Sequence, residues 1–139
     1  MGHVVDAGRA EDRLGDIFLR QKELDDEIAR LRSLDFPPEV WAEKVSLALI
    51  GELIEVLETL NFKWWKNRQT VDRAAVREEL ADVLHFFVSL CLHLGVGPQE
   101  LYEAYVQKQR ENLARQHGRS SRAGYAALPP EEGESHALE

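Results

Sequence analysis

The stretch from Pro38 to Leu60 limits what this chain can fold into more than any other. Set on a helix, Val45, Leu47, Leu49, Ile50, Leu53, Ile54, Val56, Leu57 and Leu60 cover more than half the circumference. One neighbouring helix cannot cover so wide a face, and a chain of 139 residues has few elements to share the task. A compact monomer with this helix at its centre is one solution. A homodimer in which a second copy packs on the face is the other, and the width of the face favours it.

The rest of the chain is also helical in its periodicity. Leu14, Ile17, Phe18, Leu24, Ile28 and Leu31 recur among charged residues and predict an amphipathic helix from about Glu11 to Arg32. The Asp35-Phe36-Pro37-Pro38 break follows, and Pro38 with Glu39 suits the start of the second helix, which Asn61 ends. Asp72 is placed to cap a third helix reaching Leu94, where Gly95-Val96-Gly97 stops it. A fourth runs from Pro98 through Leu101, Tyr105 and Leu113 to about His117. There is no strand pattern, internal repeat or glycine-rich phosphate loop, so the expected fold is all-α: a four-helix bundle-like protomer over residues 1–125, followed by a disordered tail over 126–139.

Composition narrows the partners. The formal charge of −8 opposes binding to a nucleic-acid backbone, and no apolar run approaches the roughly 20 residues of a membrane span. The amino terminus lacks the basic start and apolar stretch of a secretory signal, so a cytoplasmic location is expected; Cys91 stands alone and forms no internal disulfide. A small polyanionic substrate would need metal ions as intermediaries.

Two acidic pairs are placed to bind such ions. Glu52 and Glu55 are three residues apart on the second helix, as are Glu79 and Asp82 on the third, so each pair shares a helical face. At 1.5 Å per residue the first pair lies about 12 and 7.5 Å before Leu60, and the second about 10 and 15 Å after Asp72. Antiparallel pairing would bring all four carboxylates to one height. On the third helix they lead a stripe of Ala75, Glu79, Asp82, Phe86, Ser89 and His93 with the character of a pocket wall. The opposing stripe of Val76, Leu80, Val83, Leu84, Phe87, Leu90, Cys91 and Leu94 reads as core. Converging carboxylates repel, and an oxygen-only donor set favours a hard divalent ion, magnesium first and manganese as a substitute. Glu52 and Glu55 are the candidates for taking a proton from an attacking water. Ordinary solvated helix faces account for the same spacing.

The segment ELIEVLETLNFKWWK (52–66) resembles the dimeric, all-α dUTP pyrophosphatases, relatives of the MazG-like nucleotide pyrophosphatases. EELADVLHFFVSL (78–90) is similar to their Glu-x-x-Asp helix followed by His and Phe, and KQRENLARQHGRSSRAGY (108–125) to their carboxy-terminal segment. The resemblance implies magnesium ligation by Glu52, Glu55, Glu79 and Asp82, a homodimer, and cleavage of dUTP, with dUDP as a further substrate, to dUMP. It implies a base contact from Gln21, contacts of His85 and Phe86 with base and deoxyribose, and closure of Lys108, Asn112, Arg115 and Tyr125 over sugar and phosphates. Two departures stand out: Gln109 replaces an Asn of the pattern, and extra residues separate Gln116 from Gly124.

Other readings remain. Lys63 and Lys66 beside Trp64 and Trp65 form a phosphate-binding loop or cover a hydrophobic corner. His85 falls off the acidic stripe by the wheel; Arg115, Arg119 and Arg122 suit phosphate or complement a helix dipole; Trp41 reads as packing. At the level of function, the alternatives are a housecleaning pyrophosphatase for dCTP or a modified nucleotide, a di-iron carboxylate bundle using Asp82 and His85, and a non-enzymatic helical dimerisation module.

Overall fold

The structure, a computed structural model, describes residues 12–119. It contains four helices: α1 (Arg13–Arg32), α2 (Pro38–Glu58), α3 (Arg73–His93) and α4 (Pro98–Gln116), with no strand among the described residues. The fold is all-α. Tyr125 and the tail lie outside the described residues.

The helix ends follow local chemistry. The Asp12 carboxylate accepts the Gly15 N–H at 2.9 Å, capping α1, and a Cβ at Gly15 would press on that carboxylate and displace it from the cap. Ser33, at φ 51°, turns the chain out of α1 while the Leu34 N–H donates to the Ala29 carbonyl at 2.9 Å. Pro38 opens α2 at a position where its missing N–H costs nothing. Asp72 caps α3 by accepting from the Ala74 and Ala75 N–H groups at 2.9 and 3.4 Å. The helix closes on Gly95 at φ 73°, with the Val96 N–H donating to the Cys91 carbonyl at 2.9 Å.

The chain divides into two compact units between Gln99 and Glu100. In the first, α3 is the shared element, packing against both α1 and α2. Its core draws on all three helices: Phe18 from α1, Val45 from α2, and Val88 and Cys91 from α3. In the second unit, α4 carries an internal network in which the Arg115 guanidinium donates to Glu111 and, at 3.3 Å, to Asn112 Oδ1.

The assignment of the two stripes of α3 needs correction. Leu80, Leu84, Phe87 and Leu94, expected in the core, are exposed, and only Cys91 of that stripe is buried. The acidic stripe is the inward one: Ser89 is buried, and Ala75, Glu79, Asp82, Phe86 and His93 are half-buried. The face of α2 is likewise uncovered, with Leu47 71% exposed and Ile50, Leu53, Ile54 and Leu57 exposed as well. These side chains do not fill a monomeric core.

Candidate active site

The α2 and α3 helices bring the two acidic pairs together. Ligand oxygens of Glu52, Glu55 and Glu79 all lie within 4.8 Å of one another. Asp82 is close enough for its charge to act on both Glu52 and Glu79. One Oε2 on Glu52 and one on Glu79 are buried with no hydrogen-bond partner. Burial first, then the neighbouring Glu55 and Asp82, raises the Glu52 pKa. Burial and then a hydrogen bond with Glu55, followed by the surrounding charges, does the same for Glu79. Buried, unpartnered carboxylate oxygens facing other carboxylates are costly unless protons or a cation neutralise them. An all-oxygen donor set of this kind fits a hard divalent ion.

One turn further along α3 the stripe changes character. Phe86, Ser89 and His93 line a pocket of about 230 Å³ with Trp41 and Val45 of α2 and Asp25, Asp26, Ile28 and Ala29 of α1. Trp41 stacks on His93 with ring centroids 5.0 Å apart and planes 7° from parallel, and meets Phe36 edge-on. Trp41 therefore both packs and forms a pocket wall. Beside the pocket, the buried Gln21 donates through Nε2 to Asp25 Oδ1 at 2.9 Å, and its Oε1 lies 2.5 Å from His85 Nδ1. Ser89 Oγ donates to Asp25 Oδ2 at 2.7 Å, and His93 Nε2 stands 4.0 Å from the same oxygen. His85 thus reaches α1 despite sitting off the acidic stripe, and Gln21 is locked rather than free.

Asp25 was missed from sequence. Its signal was the four-residue spacing from Gln21, which sets both on one face of α1, but a single carboxylate on an amphipathic helix has no distinguishing mark.

The Asn61–Gln69 segment forms a second concavity. Asn61 staples it by donating to the Gln69 carbonyl at 2.9 Å and accepting the Gln69 N–H at 2.8 Å. Lys63 and Lys66 line a pocket of about 210 Å³ there with Glu58, Phe62 and Asn67. Trp64 and Trp65 pack edge-to-face and remain solvent-facing, Trp64 at 86% exposure, so they do not seal a hydrophobic corner of this chain. In the second unit, Lys108 and Asn112 line a shallow cavity of about 240 Å³ with Tyr105 and Gln116, while Arg115 is buried. Lys108 Nζ lies 3.8 Å from Glu111.

Fold and site together define an all-helical protein with paired acidic helices suited to a divalent cation, next to an aromatic-walled pocket of about 230 Å³. The family described as dUTPase matches residues 13–100, taking in the acidic cluster and the whole of the α1–α2–α3 pocket, and the chain belongs to that family. It is accordingly a dUTP diphosphatase, acting on a nucleotide substrate. No curated protein and no solved structure matches the chain.

Proposed function

We propose that the chain cleaves dUTP, and also dUDP, to dUMP at a magnesium site formed by Glu52, Glu55, Glu79 and Asp82, working as a cytoplasmic homodimer; with dUTP the other product is pyrophosphate. The observation that carries the reading is the pair of buried, unpartnered oxygens on Glu52 and Glu79 beside the Glu55 carboxylate. When bound, magnesium supplies neutralisation of the triphosphate charge and an attacking water of lowered pKa. Glu52 and Glu55 are the groups available to take the proton that this water loses. Phe86 offers an aromatic face at the pocket wall, and the Gln21–His85 pair offers fixed hydrogen-bonding groups to base or sugar. Lys63 and Lys66 on their stapled loop supply positive charge for the phosphates. Lys108, Asn112, Arg115 and Tyr125 act on sugar and phosphates from the carboxy-terminal segment. Manganese substitutes for magnesium.

The dimer reading is supported by the uncovered apolar face. Leu47, Ile50, Leu53, Ile54 and Leu57 of α2 and Leu80, Leu84 and Phe87 of α3 are all exposed, a set larger than scattered surface leucines explain. A Leu53→Glu substitution is expected to convert dimer to monomer in sedimentation velocity.

The test of the reaction is hydrolysis of dUTP, dCTP, dTTP, dATP and UTP with and without magnesium, resolving nucleoside monophosphate from pyrophosphate. Metal-dependent release of dUMP, with dUTP preferred, is the expected result. Preference for dCTP or a modified base moves the chain to a housecleaning role with the metal site retained, and no turnover of any nucleotide sinks the proposal.

A further inference from the structure

The hydrogen bonds between α1 and α3 have a direction, and Asp25 sets it. A carboxylate only accepts, so Gln21 must turn its Nε2 donor toward Asp25 Oδ1, where it lies at 2.9 Å. The Gln21 amide then has one orientation, with Oε1 facing His85 Nδ1 at 2.5 Å. An amide oxygen only accepts, so His85 Nδ1 must carry the proton. In the neutral ring this leaves Nε2 as a bare acceptor on a residue that is otherwise exposed. Ser89 Oγ donates to the remaining Asp25 oxygen at 2.7 Å, which holds the carboxylate in place.

We propose that Asp25, which lines the pocket, is a positioning residue for the exposed imidazole beside it: through Gln21 it selects the Nδ1–H tautomer of His85, so that His85 Nε2 accepts a hydrogen bond from a hydroxyl or imide N–H of the nucleoside. The substrate-facing half of this inference rests on the proposed dUTP reading; the tautomer half does not. Loss of Asp25 frees the Gln21 amide to turn over, and His85 then samples both tautomers. An analogue whose group accepts where the nucleoside donates is rejected by the intact chain, because it leaves the ring lone pair facing another lone pair.

The test begins with the wild-type protein without nucleotide, at a pH where His85 is neutral, using long-range ¹⁵N–¹H correlation spectra of uniformly ¹⁵N-labelled material. The His85 signals, assigned by their loss in His85→Gln, are expected to show a protonated Nδ1 and an unprotonated Nε2. In Asp25→Asn, whose side chain can donate as well as accept, the two nitrogens are expected to move toward averaged values. KM for dUTP should rise about five- to tenfold with kcat changed far less, the worth of one misdirected hydrogen bond. Ser89→Ala, which loosens Asp25 without removing its charge, should keep the Nδ1–H tautomer. An Nε2–H ring in the wild type overturns the inference, as does an unchanged Nδ1–H ring in a folded Asp25→Asn protein. Should Asp25→Asn not fold, Gln21→Met, which removes the amide through which Asp25 acts, should move the two nitrogens toward averaged values, and an unchanged Nδ1–H ring in that variant overturns the inference. The predicted spectra in a protein that turns over no nucleotide would uphold the tautomer selection and defeat the functional reading alone.

Discussion

The two ends of the inward stripe of α3 solve the burial of polar groups in opposite ways. Near the carboxy-terminal end, around Ser89 and His93, the inward polar groups have partners: Ser89 bonds Asp25, Asp25 bonds Gln21, Gln21 meets His85, and His93 stacks on Trp41. Near the amino-terminal end, Glu79 and its α2 neighbour Glu52 each bury an oxygen with nothing to bond, and the groups around them carry like charge. A satisfied network contributes to the stability of the fold, whereas an unsatisfied cluster lowers it until something from outside completes it. The difference marks where the fold is self-sufficient and where it is built for a ligand. It also predicts that substitutions at the two ends change stability with opposite signs.

The largest expected effect is at the acidic end. Glu79→Ala should lower kcat for dUTP on the order of 10²–10³-fold, the scale of losing one group that stabilises transition-state charge. In the absence of divalent cation the same variant should melt a few degrees higher than wild type, because a buried like-charge contact has gone. Activity assays and chelator-treated melting curves check the two halves. A variant that loses activity by unfolding would melt lower, and that result would break the contrast.

At the partnered end, Trp41→Ala removes the stack on His93 and the edge contact with Phe36. The half-buried indole should cost about 2–4 kcal/mol in urea unfolding, whether or not magnesium is present. A smaller loss, about 1–2 kcal/mol, is expected for Ser89→Ala, which leaves Asp25 Oδ2 without its hydroxyl donor. If either variant were stabilising, the two ends would not differ in the way described.

Much of this arrangement was legible in the sequence, and the parts that were not share a cause. Helix limits could be read because Asp72, Pro38 and Gly95 act through local backbone chemistry that needs no partner. Convergence of Glu52, Glu55 and Glu79 could be read because axial rise alone sets their height on antiparallel helices. Which stripe of α3 faces inward could not, since ranking by hydrophobicity assigns Leu80, Leu84 and Phe87 to the interior of a single chain. That ranking assumes one chain buries its own apolar surface, and here the apolar stripe is left outside. Asp25 and the His85 bond were hidden for a related reason: each joins positions 64 residues apart, and nothing local marks either residue for its partner.

The smallest effect is also the one that ties the comparison to protons rather than to packing. Glu52 and Glu79 hold their protons above the ordinary carboxyl value of 4.5, with burial as the leading cause for each. Between the unfolded value and the raised folded value the native state binds more protons than the unfolded chain, so stability falls as pH rises through that window. The contribution is fully present below the unfolded pKa and lost once pH has passed the folded one. Glu52→Gln removes one of the two titrations and relieves the other. Without divalent cation, its melting temperature should match wild type below the unfolded value of 4.5, draw ahead as pH rises through the window, and level off once pH has passed the raised folded values. With saturating magnesium at neutral pH the order should reverse, because a cation that binds the charged cluster stabilises the wild type by mass action and finds a weaker site in the variant. A Glu52→Gln protein that tracks wild type at every pH, with and without magnesium, would mean that the carboxylates are ordinary hydrated surface and that the two ends of α3 are alike.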